Sequence, residues 1–461
     1  MILHNKQKNV VASKARFKII RSGRRSGKTF METENMAFKA ISGKDRNVFY
    51  IAPNQVQARN IIWENLKKRL HGVGTANEQR LEMKVPTVDG GHSLIKVAGW
   101  ENRENFRGQS AYHITFDELD TMRDFFIGWQ EIFRPALIDT SGSAHFIGTP
   151  KKENPNLRRL EKEAVDDVHW DAFHFSSWDN PNLAREELEK AREEMDAETY
   201  KQEIMAEYVD NAGALFKYTA LVDMFSNTIT KDPEKYLIVD IADDGSDKTV
   251  FSFWQGLELY RIEQFARLNT EGIVTQIREF QGSDRIPMSQ TLVDAIGVGA
   301  GVASNSLLDG IVGYKSSFAA IRTDSDPTRL PNVHYRTNAP LTTEYANLRS
   351  QCVFTLAGLV NNHEIASTIQ DVRVKEAIIE ELALYQDASR GDGKRMPTQK
   401  EDIKALLGRS PDLSDTLIMR MFFEVRERIS PVQNERMVQL QQELANQFNR
   451  NEKRAVLNST K

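Results

Sequence analysis

The sequence predicts an α/β protein built from two domains, and three observations carry this prediction. Over residues 1–210, short apolar runs alternate with helical stretches, which is typical of a parallel sheet with crossover helices. The alternation stops at residues 211–233, which contain Gly213 and an Asp232–Pro233 pair. Beyond this break come three consecutive strands, a helix and a fourth strand, and this order indicates a separate domain.

Chain length agrees with the same division, because 461 residues exceed the size of one ordinary domain. We predict a first domain at residues 1–210, whose last part, residues 151–210, is a helical lid subdomain that contains the highly charged segment Arg185–Met205. A linker is predicted at residues 211–233 and a second domain at residues 234–430. Residues 431–461 are rich in Gln, Asn, Glu and Arg, and we expect a polar tail there.

Apolar periodicity and turn residues place the individual elements. The strands predicted in the first domain are Phe17–Arg21, Asn47–Ala52, His113–Asp117 and Ser143–Gly148, and the helices are Phe30–Ile41, Gln55–Leu70 and Arg185–Met205. The strands predicted in the second domain are Tyr236–Ile241, Thr249–Trp254, Leu259–Phe265 and Gln290–Asp294, with a helix at Gly272–Phe280.

Composition and charge exclude several classes of protein. No apolar run approaches the ~18 residues of a membrane span, and the N-terminus lacks the core of a signal peptide. The single cysteine, Cys352, excludes a disulfide framework and a cysteine zinc site, so we expect a reducing cytoplasm. A net charge of −4 excludes a uniformly basic DNA-coating protein but leaves room for local basic clusters. Such clusters are Lys67, Lys68 and Arg69; Lys151 and Lys152; and Arg322, Arg329 and Arg336.

A phosphate-binding loop is predicted between the first strand and the first long helix. The sequence there approximates G-x-x-x-x-G-K-[ST], with Ser22 at the first glycine position. Backbone N–H groups and the helix N-terminus would bind the phosphates of ATP. Lys28 would contact the β- and γ-phosphates, and Thr29 would hold Mg²⁺. The residues expected to bind the nucleotide are Ser22, Gly23, Arg24, Arg25, Ser26, Gly27, Lys28 and Thr29.

Two further motifs follow the phosphate loop in chain order. The apolar strand His113–Phe116 ends in two carboxylates, of which Asp117 would bind Mg²⁺ and Glu118 would polarise the attacking water. The next strand ends in the turn Gly148–Pro150, in which Thr149 would sense the γ-phosphate. These motifs predict ATP hydrolysis and not binding alone.

Two arginines are candidates for stabilising charge in the transition state of ATP hydrolysis. Arg24 lies inside the loop and could act in its own subunit, whereas Arg107 precedes the acidic strand and could reach a neighbouring subunit. A surface salt bridge is the alternative explanation for each of them. The sequence alone does not decide between the two arginines.

The second domain places acidic residues where apolar ones are expected. Alternation along the strand Tyr236–Ile241 puts Asp240 on the same face as Ile238, and the strand that ends at Asp294 repeats the arrangement. A buried carboxylate is costly unless it is paired or binds a metal. Farther on, Asp412 and Asp415 stand at the start of an apolar helix.

Acids on two strands and a helix match an RNase H-like nuclease, in which two Mg²⁺ or Mn²⁺ ions assist phosphodiester cleavage. We predict Asp240, Asp294 and Asp415 as the catalytic metal ligands, with Asp247 and Asp412 as weaker candidates. Each acid alone would more simply be a surface or capping carboxylate, and Asp412 is well placed as an N-cap. The nuclease interpretation depends on their combination and order.

In this order, the phosphate loop, the Phe116–Glu118 strand end, the Gly148–Pro150 turn and the acidic triad resemble the large terminase subunits of tailed phages. The resemblance implies a P-loop ATPase domain of the ASCE, RecA-like type with a parallel sheet, followed by an RNase H-like nuclease domain. It implies a protein that packages double-stranded DNA into a procapsid in the cytoplasm of a bacterial host. The partners it implies are a small terminase subunit, the portal protein and further copies of the chain, which form a ring on the portal but are monomeric in isolation.

Other functions remain open at this point. A helicase–nuclease would need a second RecA-like domain, and the block after Asp240 lacks the required alternation. An ATP-regulated recombination or repair nuclease would use the same two sites. A structural assembly factor that uses ATP only as a conformational switch would bind ATP without turnover.

Overall fold

Two sheets organise the computed structural model. The chain divides into two units, residues 1–212 and residues 213–461. The residues that the structure describes are 3–152, 155–209, 213–230, 232–242, 248–266, 268–321, 344–389 and 393–427. Among these residues, no helix combines the length and the apolar character needed to cross a bilayer.

The sheet of the first unit is mostly parallel. Its described strands are β1 (Phe17–Ser22), β2 (Asn47–Ala52), β3 (Thr75–Asn77), β4 (Glu82–Pro86), β5 (His92–Gly99), β6 (His113–Phe116), β7 (Ser143–Gly148) and β8 (Trp170–Phe175). Their order is β3-β4-β5-β2-β6-β7-β1-β8, and β3 and β4 form an antiparallel edge. Strand β7 therefore separates the phosphate-loop strand β1 from the acidic strand β6, which is the ASCE arrangement. All three strands end at the same sheet edge, where ligands of such sheets bind.

Helices cover both faces of this sheet. They are α1 (Asn5–Ala12), α2 (Lys28–Ile41), α3 (Gln55–Ala58), α4 (Glu64–Arg69), α5 (Phe125–Gly128), α6 (Arg134–Ala136), α7 (Asn156–Glu163), α8 (Arg185–Glu194) and α9 (Ala197–Glu203). The predicted helix Gln55–Leu70 is continuous but passes through a π-helical turn at Arg59–Trp63, and a second such turn is Trp129–Phe133. Short 3₁₀ segments lie at Trp100–Phe106, Leu119–Thr121 and Ser177–Asp179.

Strand alternation assigns different chemistry to the two faces of β6 and β7. Phe116 and Phe146 stack with their ring centroids 5.5 Å apart on one face, within an aromatic core that includes Trp129. His113 and His145 lie on the other face, which α2 covers. The sheet is thus apolar on one side and carries a buried polar cluster on the other.

Two parts of the predicted lid differ from expectation. Strand β8 lies within residues 151–210 but pairs with β1 as an edge strand of the main sheet. Each of its two faces mixes apolar with polar residues, so the sequence shows no clear alternation there. The single helix predicted at Arg185–Met205 is two helices, because Asp196 caps the first turn of α9 through the N–H groups of Glu198 and Thr199.

The second unit has an RNase H-like sheet. Its described strands are β9 (Lys235–Asp240), β10 (Lys248–Gln255), β11 (Glu258–Ala266), β12 (Thr291–Asp294), β13 (Val312–Tyr314) and β14 (Ala366–Ser367). Their order is β13-β12-β9-β10-β11-β14. Strands β9, β10 and β11 form an antiparallel meander, and β12 and then β13 add in parallel beside β9.

The helices of this unit include one from the segment predicted to be a linker. They are α10 (Tyr218–Asp223), α11 (Thr270–Asp284), α12 (Val298–Ala303), α13 (Leu348–Asn361), α14 (Val372–Ala383), α15 (Lys400–Leu407) and α16 (Asp412–Glu427), with 3₁₀ segments at Met288–Gln290 and Ser306–Leu308. Helix α10 packs into the core of the second unit through Ala220 and Leu221. Part of residues 211–233 therefore belongs to the second fold, because its apolar side chains are buried there.

Two features predicted from the sequence lie outside the described residues. They are the polar tail at residues 431–461 and the basic cluster of Arg322, Arg329 and Arg336.

Two apolar cores flank the meander and fix the face on which its acids lie. Leu237 and Val239 of β9 pack with residues of α11, whereas Tyr236 and Ile238 pack with residues of α13 and α16. Asp240 continues the Ile238 face by strand alternation. It therefore points to the side of the sheet that carries α16.

A substitution of Leu417 tests the packing of α16, because this side chain is fully buried in the core of the second unit. We expect Leu417→Ala to lower the free energy of unfolding of the second unit by about 2–5 kcal/mol, since the smaller side chain leaves a cavity. Urea unfolding of the full chain, followed by circular dichroism, measures the change. Leu406→Ala on α15 is the control, because Leu406 is 61% exposed and should contribute less than about 0.5 kcal/mol. Equal losses in the two variants would contradict the packing of α16.

Candidate functional sites

The phosphate loop of the first unit joins β1 to α2 in a tight turn. Ser22 is the last residue of β1 and is buried. Gly27 is the N-cap of α2 with φ 95°, and Arg25 has φ 59°. The N–H groups in the first turn of α2 have no intrahelical acceptors, so this turn is suited to bind an anion.

Side chains from outside the loop hold its carbonyl groups. Gln7 donates from Nε2 to the carbonyl oxygen of Gly27 at 2.9 Å, and His4 Nε2 lies 3.1 Å from the carbonyl oxygen of Ser26. Ser177 and Asn180 donate to the carbonyls of Arg24 and Arg25 at 2.6 and 2.7 Å. Four carbonyl oxygens are thus held by flanking side chains and fix the loop conformation.

Lys28 brings the three predicted motifs together. Its Nζ lies 3.0 Å from Glu118 Oε1 and 2.9 Å from Thr149 Oγ1, and the lysine is almost fully buried. Thr149 in turn donates to the carbonyl of Ser22 at 3.0 Å. Glu118 reaches Lys28 from a left-handed backbone conformation with φ 53°. Thr29 is half-buried at the second position of α2.

Asp117 is buried directly after β6 and accepts a hydrogen bond from the Tyr50 hydroxyl. Burial, followed by the charge of Glu118, raises the pKa of Asp117 to about 7, although Lys28 and Tyr50 act in the opposite direction. A bound cation at this position would restore the ionised form. Asp117 therefore fits the role of a metal ligand better than that of a structural acid.

The two candidate arginines lie on the surface of the first unit. Arg24, with a side chain 66% exposed, forms an ion pair with Glu203. Arg107 pairs with Glu104 at 2.7 Å and with Glu131 at 3.1 Å. Arg107 therefore makes the surface salt bridges that its alternative explanation requires, and its reach to a neighbouring subunit stays a prediction.

Asp120 is an acid that the motifs did not identify. It is buried and accepts the N–H groups of Lys151 at 3.0 Å and of Leu157 at 2.7 Å. Burial raises the pKa of Asp120 to about 8. Asn156 donates to the carbonyls of Leu119 and Met122 at 3.0 and 2.9 Å. The segment that follows Thr149 is thereby fixed to the end of β6.

The second unit contains a cavity of about 240 Å³ lined by the three acids predicted as catalytic. Asp240 and Asp294 stand at the ends of the adjacent parallel strands β9 and β12, and Asp415 lies in the first turn of α16. The other lining residues are Tyr314, Ser316, Ser317, Asn347, Arg349, Gln399, Lys400, Glu401, Ile418 and Met419. The fold thus brings together acids from distant parts of the sequence, since Asp240 and Asp415 are 175 residues apart.

Two basic residues hold Asp415 in its ionised form. Arg349 donates to Asp415 Oδ1 at 3.1 Å, and Lys400 Nζ lies 2.5 Å from Oδ2. Burial opposes ionisation of Asp415, but Arg349 and Lys400 outweigh it and hold its pKa below the ordinary value. Burial lowers the pKa of Lys400, but the charges of Asp415 and Asp240 outweigh burial and raise that pKa above its ordinary value.

Asp240 is the destabilised acid of the site. Among the described residues its carboxylate makes no hydrogen bond or ion pair, although it is buried. Burial, and then the charge of Asp415, raise the pKa of Asp240 well above its ordinary value. Asp294 and Asp412 act in the same direction. A buried carboxylate among other carboxylates is the donor set that a hard divalent cation prefers.

The weaker candidates have different outcomes. Asp412 is the first residue of α16 and accepts the N–H of Lys248 at 3.2 Å, so it also ties α16 to β10. Asp247 lies outside the described residues. The acids of this cavity do not lie close enough together to surround a single ion. Among the described residues, the group with ligand atoms within 4.8 Å of one another is Glu32, His113 and His145 of the first unit.

Sequence motifs missed the residues that support each site from distant segments. In the first unit these are His4, Gln7, Asp120, Ser177, Asn180 and Glu203, and in the second they are Arg349 and Lys400. Two of these residues stand at helix starts, which sequence patterns can indicate: Lys400 begins α15 and His4 caps α1. Their partners, however, are set by tertiary packing.

Comparisons with known proteins agree on one family. The family profile described as terminase large subunit, T4likevirus-type, N-terminal, matches residues 19–223. The terminase large subunit of Escherichia phage T5 is 27% identical over 207 residues, which are 43% of this chain and 45% of that protein. That of Thermus virus P23-45 is 27% identical over 244 residues, which are 46% of this chain and 50% of that protein. The chain thus spans about half the length of the curated relatives it matches.

Large terminases are also among the solved structures to which this chain is similar. A large terminase from a thermophilic bacteriophage covers 92% of this chain and 100% of its own, with 14% identity and a TM-score of 0.43. The family profile ends at residue 223. The RNase H-like character of the second unit therefore follows from its own strand order.

The raised pKa of Asp117 predicts a pH-dependent cost to the folded state. An unfolded aspartate ionises near pH 4 and the folded one near 7, so stability is lost as the pH rises between these values. We expect Asp117→Asn, measured without divalent cations, to stabilise the first unit more at pH 8 than at pH 5. The difference should be at most about 3 kcal/mol, because about two pH units of the shift lie between pH 5 and the folded pKa.

Thermal unfolding at the two pH values measures this effect. Asp139→Asn is the control, because Asp139 is exposed on the same unit. An advantage of Asp117→Asn that did not grow with pH would show that the carboxylate is not held in the environment described.

Proposed function

We propose that this chain is a terminase large subunit, a viral DNA-packaging motor subunit that hydrolyses ATP and cuts DNA. One observation carries the proposal: Lys28 Nζ lies within 3.0 Å of both Glu118 and Thr149. A phosphate loop, an acidic strand end and a threonine turn therefore meet at one ammonium group. A protein that only binds a nucleotide has no need for the Glu118 carboxylate at this point.

These contacts support a mechanism for ATP hydrolysis. Lys28 and the loop N–H groups bind the phosphates, and the γ-phosphate then competes with Glu118 for the ammonium group. Glu118 orients the attacking water and accepts its proton. Thr149 responds to loss of the γ-phosphate through its hydrogen bond to Lys28. Thr29 and Asp117 would hold Mg²⁺, which supplies charge neutralisation on the transferring phosphoryl group.

DNA cleavage is assigned to the cavity of the second unit. Asp240, Asp294 and Asp415 would hold two Mg²⁺ or Mn²⁺ ions, which activate the attacking water and stabilise the leaving oxygen. Arg349 and Lys400 keep Asp415 ionised, which is the state that binds a cation. Burial and the neighbouring carboxylates disfavour ionisation of Asp240, and a bound cation would offset both effects.

Packaging requires partners, and we propose those that the similarity to terminase large subunits suggests. The first unit drives double-stranded DNA into a procapsid, and the second cuts the concatemer. Copies of the chain act as a ring on the portal protein, recruited with a small terminase subunit, in the cytoplasm of a bacterial host. An isolated chain is expected to be monomeric.

Two variants separate the two activities. We expect Lys28→Ala to abolish ATP turnover, because the phosphates lose their cation, and to leave Mn²⁺-dependent cutting of plasmid DNA largely intact. Asp240→Asn should do the reverse, because the nuclease loses a metal ligand. Each variant is the control for the other in parallel assays of phosphate release and plasmid nicking.

These assays, together with ATP-binding and portal-docking measurements, distinguish the alternatives. Loss of both activities in either variant would contradict the division into two centres. ATP binding without turnover in the unmodified chain, with linear duplex DNA present, would favour an assembly factor. A nuclease that ATP regulates but that never acts on a portal would favour a recombination enzyme.

Mixed assemblies test the candidate arginines. If Arg107 acts in the neighbouring subunit, a mixture of Arg107→Ala and Lys28→Ala chains regains ATP turnover on the portal, because one chain supplies the intact loop and the other the arginine. Arg24→Ala, acting in its own subunit, should lower kcat by about 10³-fold and gain nothing from mixing. Arg185→Ala is the control, because Arg185 lies on α8 and contacts Trp178. No recovery with Arg107→Ala would exclude its action between subunits.

A further inference from the structure

A buried polar cluster occupies the face of the first unit's sheet that α2 covers. Its members are Glu32 and Asn35 of α2, His113 and Thr115 of β6, and His145 of β7. Glu32, His113 and Thr115 are fully buried, and His145 is 3% exposed. No step of ATP hydrolysis uses any of these side chains.

One carboxylate joins all three elements of the cluster. Glu32 Oε1 accepts a hydrogen bond from His145 Nδ1 at 2.8 Å. Its Oε2 accepts from Thr115 Oγ1 at 2.9 Å and from Asn35 Nδ2 at 3.3 Å. Glu32 therefore bonds directly to β6 and to β7 from the helix that begins at the phosphate loop.

The charges in the cluster follow from donor chemistry. Asn35 Nδ2, which can only donate, lies 3.0 Å from His113 Nε2, so this nitrogen accepts and the proton of His113 is on Nδ1. That N–H donates to Ser143 Oγ at 2.9 Å. Burial, and then Lys39, lower the pKa of His113 well below its ordinary value, in agreement with a neutral ring.

Glu32, in contrast, is charged. Burial opposes its ionisation, but His145 and the hydrogen bonds from Thr115 and Asn35 outweigh burial and lower its pKa. A charged carboxylate with two oxygens fully engaged is held in one geometry. The cluster is thus a fixed tie and not an adaptable surface contact.

Spacing relates this tie to the proposed ATP site. Glu32 lies one helical turn after Lys28, and His145 lies four residues before Thr149. Thr115 lies two residues before Asp117. The elements that meet at Lys28 are therefore the same ones that Glu32 joins one layer away from the nucleotide.

A metal ion is the competing explanation, because Glu32, His113 and His145 have ligand atoms within 4.8 Å of one another. Zinc would need these atoms at about 2.0–2.2 Å. Asn35 Nδ2 already donates hydrogen bonds to two of these three groups, to His113 Nε2 at 3.0 Å and to Glu32 Oε2 at 3.3 Å. Among the described residues, no buried side-chain atom of the cluster lacks a hydrogen-bond partner. The geometry therefore favours a hydrogen-bonded tie.

We propose that Glu32 is a positioning residue that holds α2, β6 and β7 in the register at which Lys28, Glu118 and Thr149 meet. ATP turnover then depends on a carboxylate that contacts neither the nucleotide nor the attacking water. This inference rests on the proposed ATPase activity of the first unit.

Glu32→Gln in the full chain tests the proposal, because glutamine keeps the volume and an acceptor for Thr115 but loses the charge that faces His145. We expect kcat for ATP hydrolysis to fall about tenfold or more, since displaced catalytic groups lose alignment. The KM for ATP and the Kd for a non-hydrolysable analogue should stay within about threefold, because the loop keeps its own contacts. Glu34→Gln is the matched control on α2, since Glu34 is partly exposed and pairs with Arg69 at 2.8 Å.

A second set of variants separates positioning from stability. His145→Asn keeps an N–H donor near the position of Nδ1 and should retain most of the activity, whereas His145→Leu should resemble Glu32→Gln. The double variant Glu32→Gln/His145→Leu removes both partners and should recover stability over His145→Leu, because no unpaired charge stays buried. Its kcat should remain low.

Three results would overturn the proposal. The first is a normal kcat in folded Glu32→Gln, and the second is recovery of kcat together with stability in the double variant. The third is one equivalent of a transition metal that elemental analysis finds in the unmodified chain but not in Glu32→Gln. The last result would establish a metal site. Absence of Lys28-dependent turnover in the unmodified chain would contradict the proposed ATPase function itself.

Discussion

The first unit depends on a single constraint, which is the need of the buried Lys28 ammonium for partners. A lysine removed from water is costly unless its charge is compensated. The compensation comes from Glu118 and Thr149, which stand at the ends of β6 and β7. Pairing between β7 and both β1 and β6 therefore determines where the chemistry can occur. A shift of one residue in either pairing would turn the side chains to the opposite face.

The second unit solves the opposite problem, because its site concentrates negative charge. Arg349 and Lys400 compensate Asp415, while Asp240 keeps a carboxylate whose burial disfavours ionisation. Asp117 in the first unit is in the same state. Both acids make the unliganded fold less stable than an apolar core would be, and both gain from a cation. The instability is the cost of function at sites that bind divalent ions.

Local patterns account for the strands and the motif residues, because strand periodicity and loop spacing are properties of short segments. The bounds predicted for β2 and β7 agree with the structure to the residue. The hydrogen bond from Gln7 to Gly27 and the ion pair between Lys400 and Asp415 join distant segments, so the spacing of residues in the sequence does not predict them. Charge clusters are ambiguous for the same reason. Lys67, which lies in one of the basic clusters of the sequence, forms ion pairs with Glu64 and Glu78.

The phosphate loop shows why a departure from a motif need not alter the site. Ser22 replaces the first glycine, but it is the last residue of β1, where pairing with Phe175 requires ordinary extended backbone and leaves room for a side chain. The steric demand for glycine lies elsewhere. A Cβ on Gly23 would lie 2.3 Å from the carbonyl oxygen of Ile204, and one on Gly27 would lie 2.6 Å from Gln7 Nε2. The loop tolerates serine because its close contacts, and not the motif itself, specify where glycine is required.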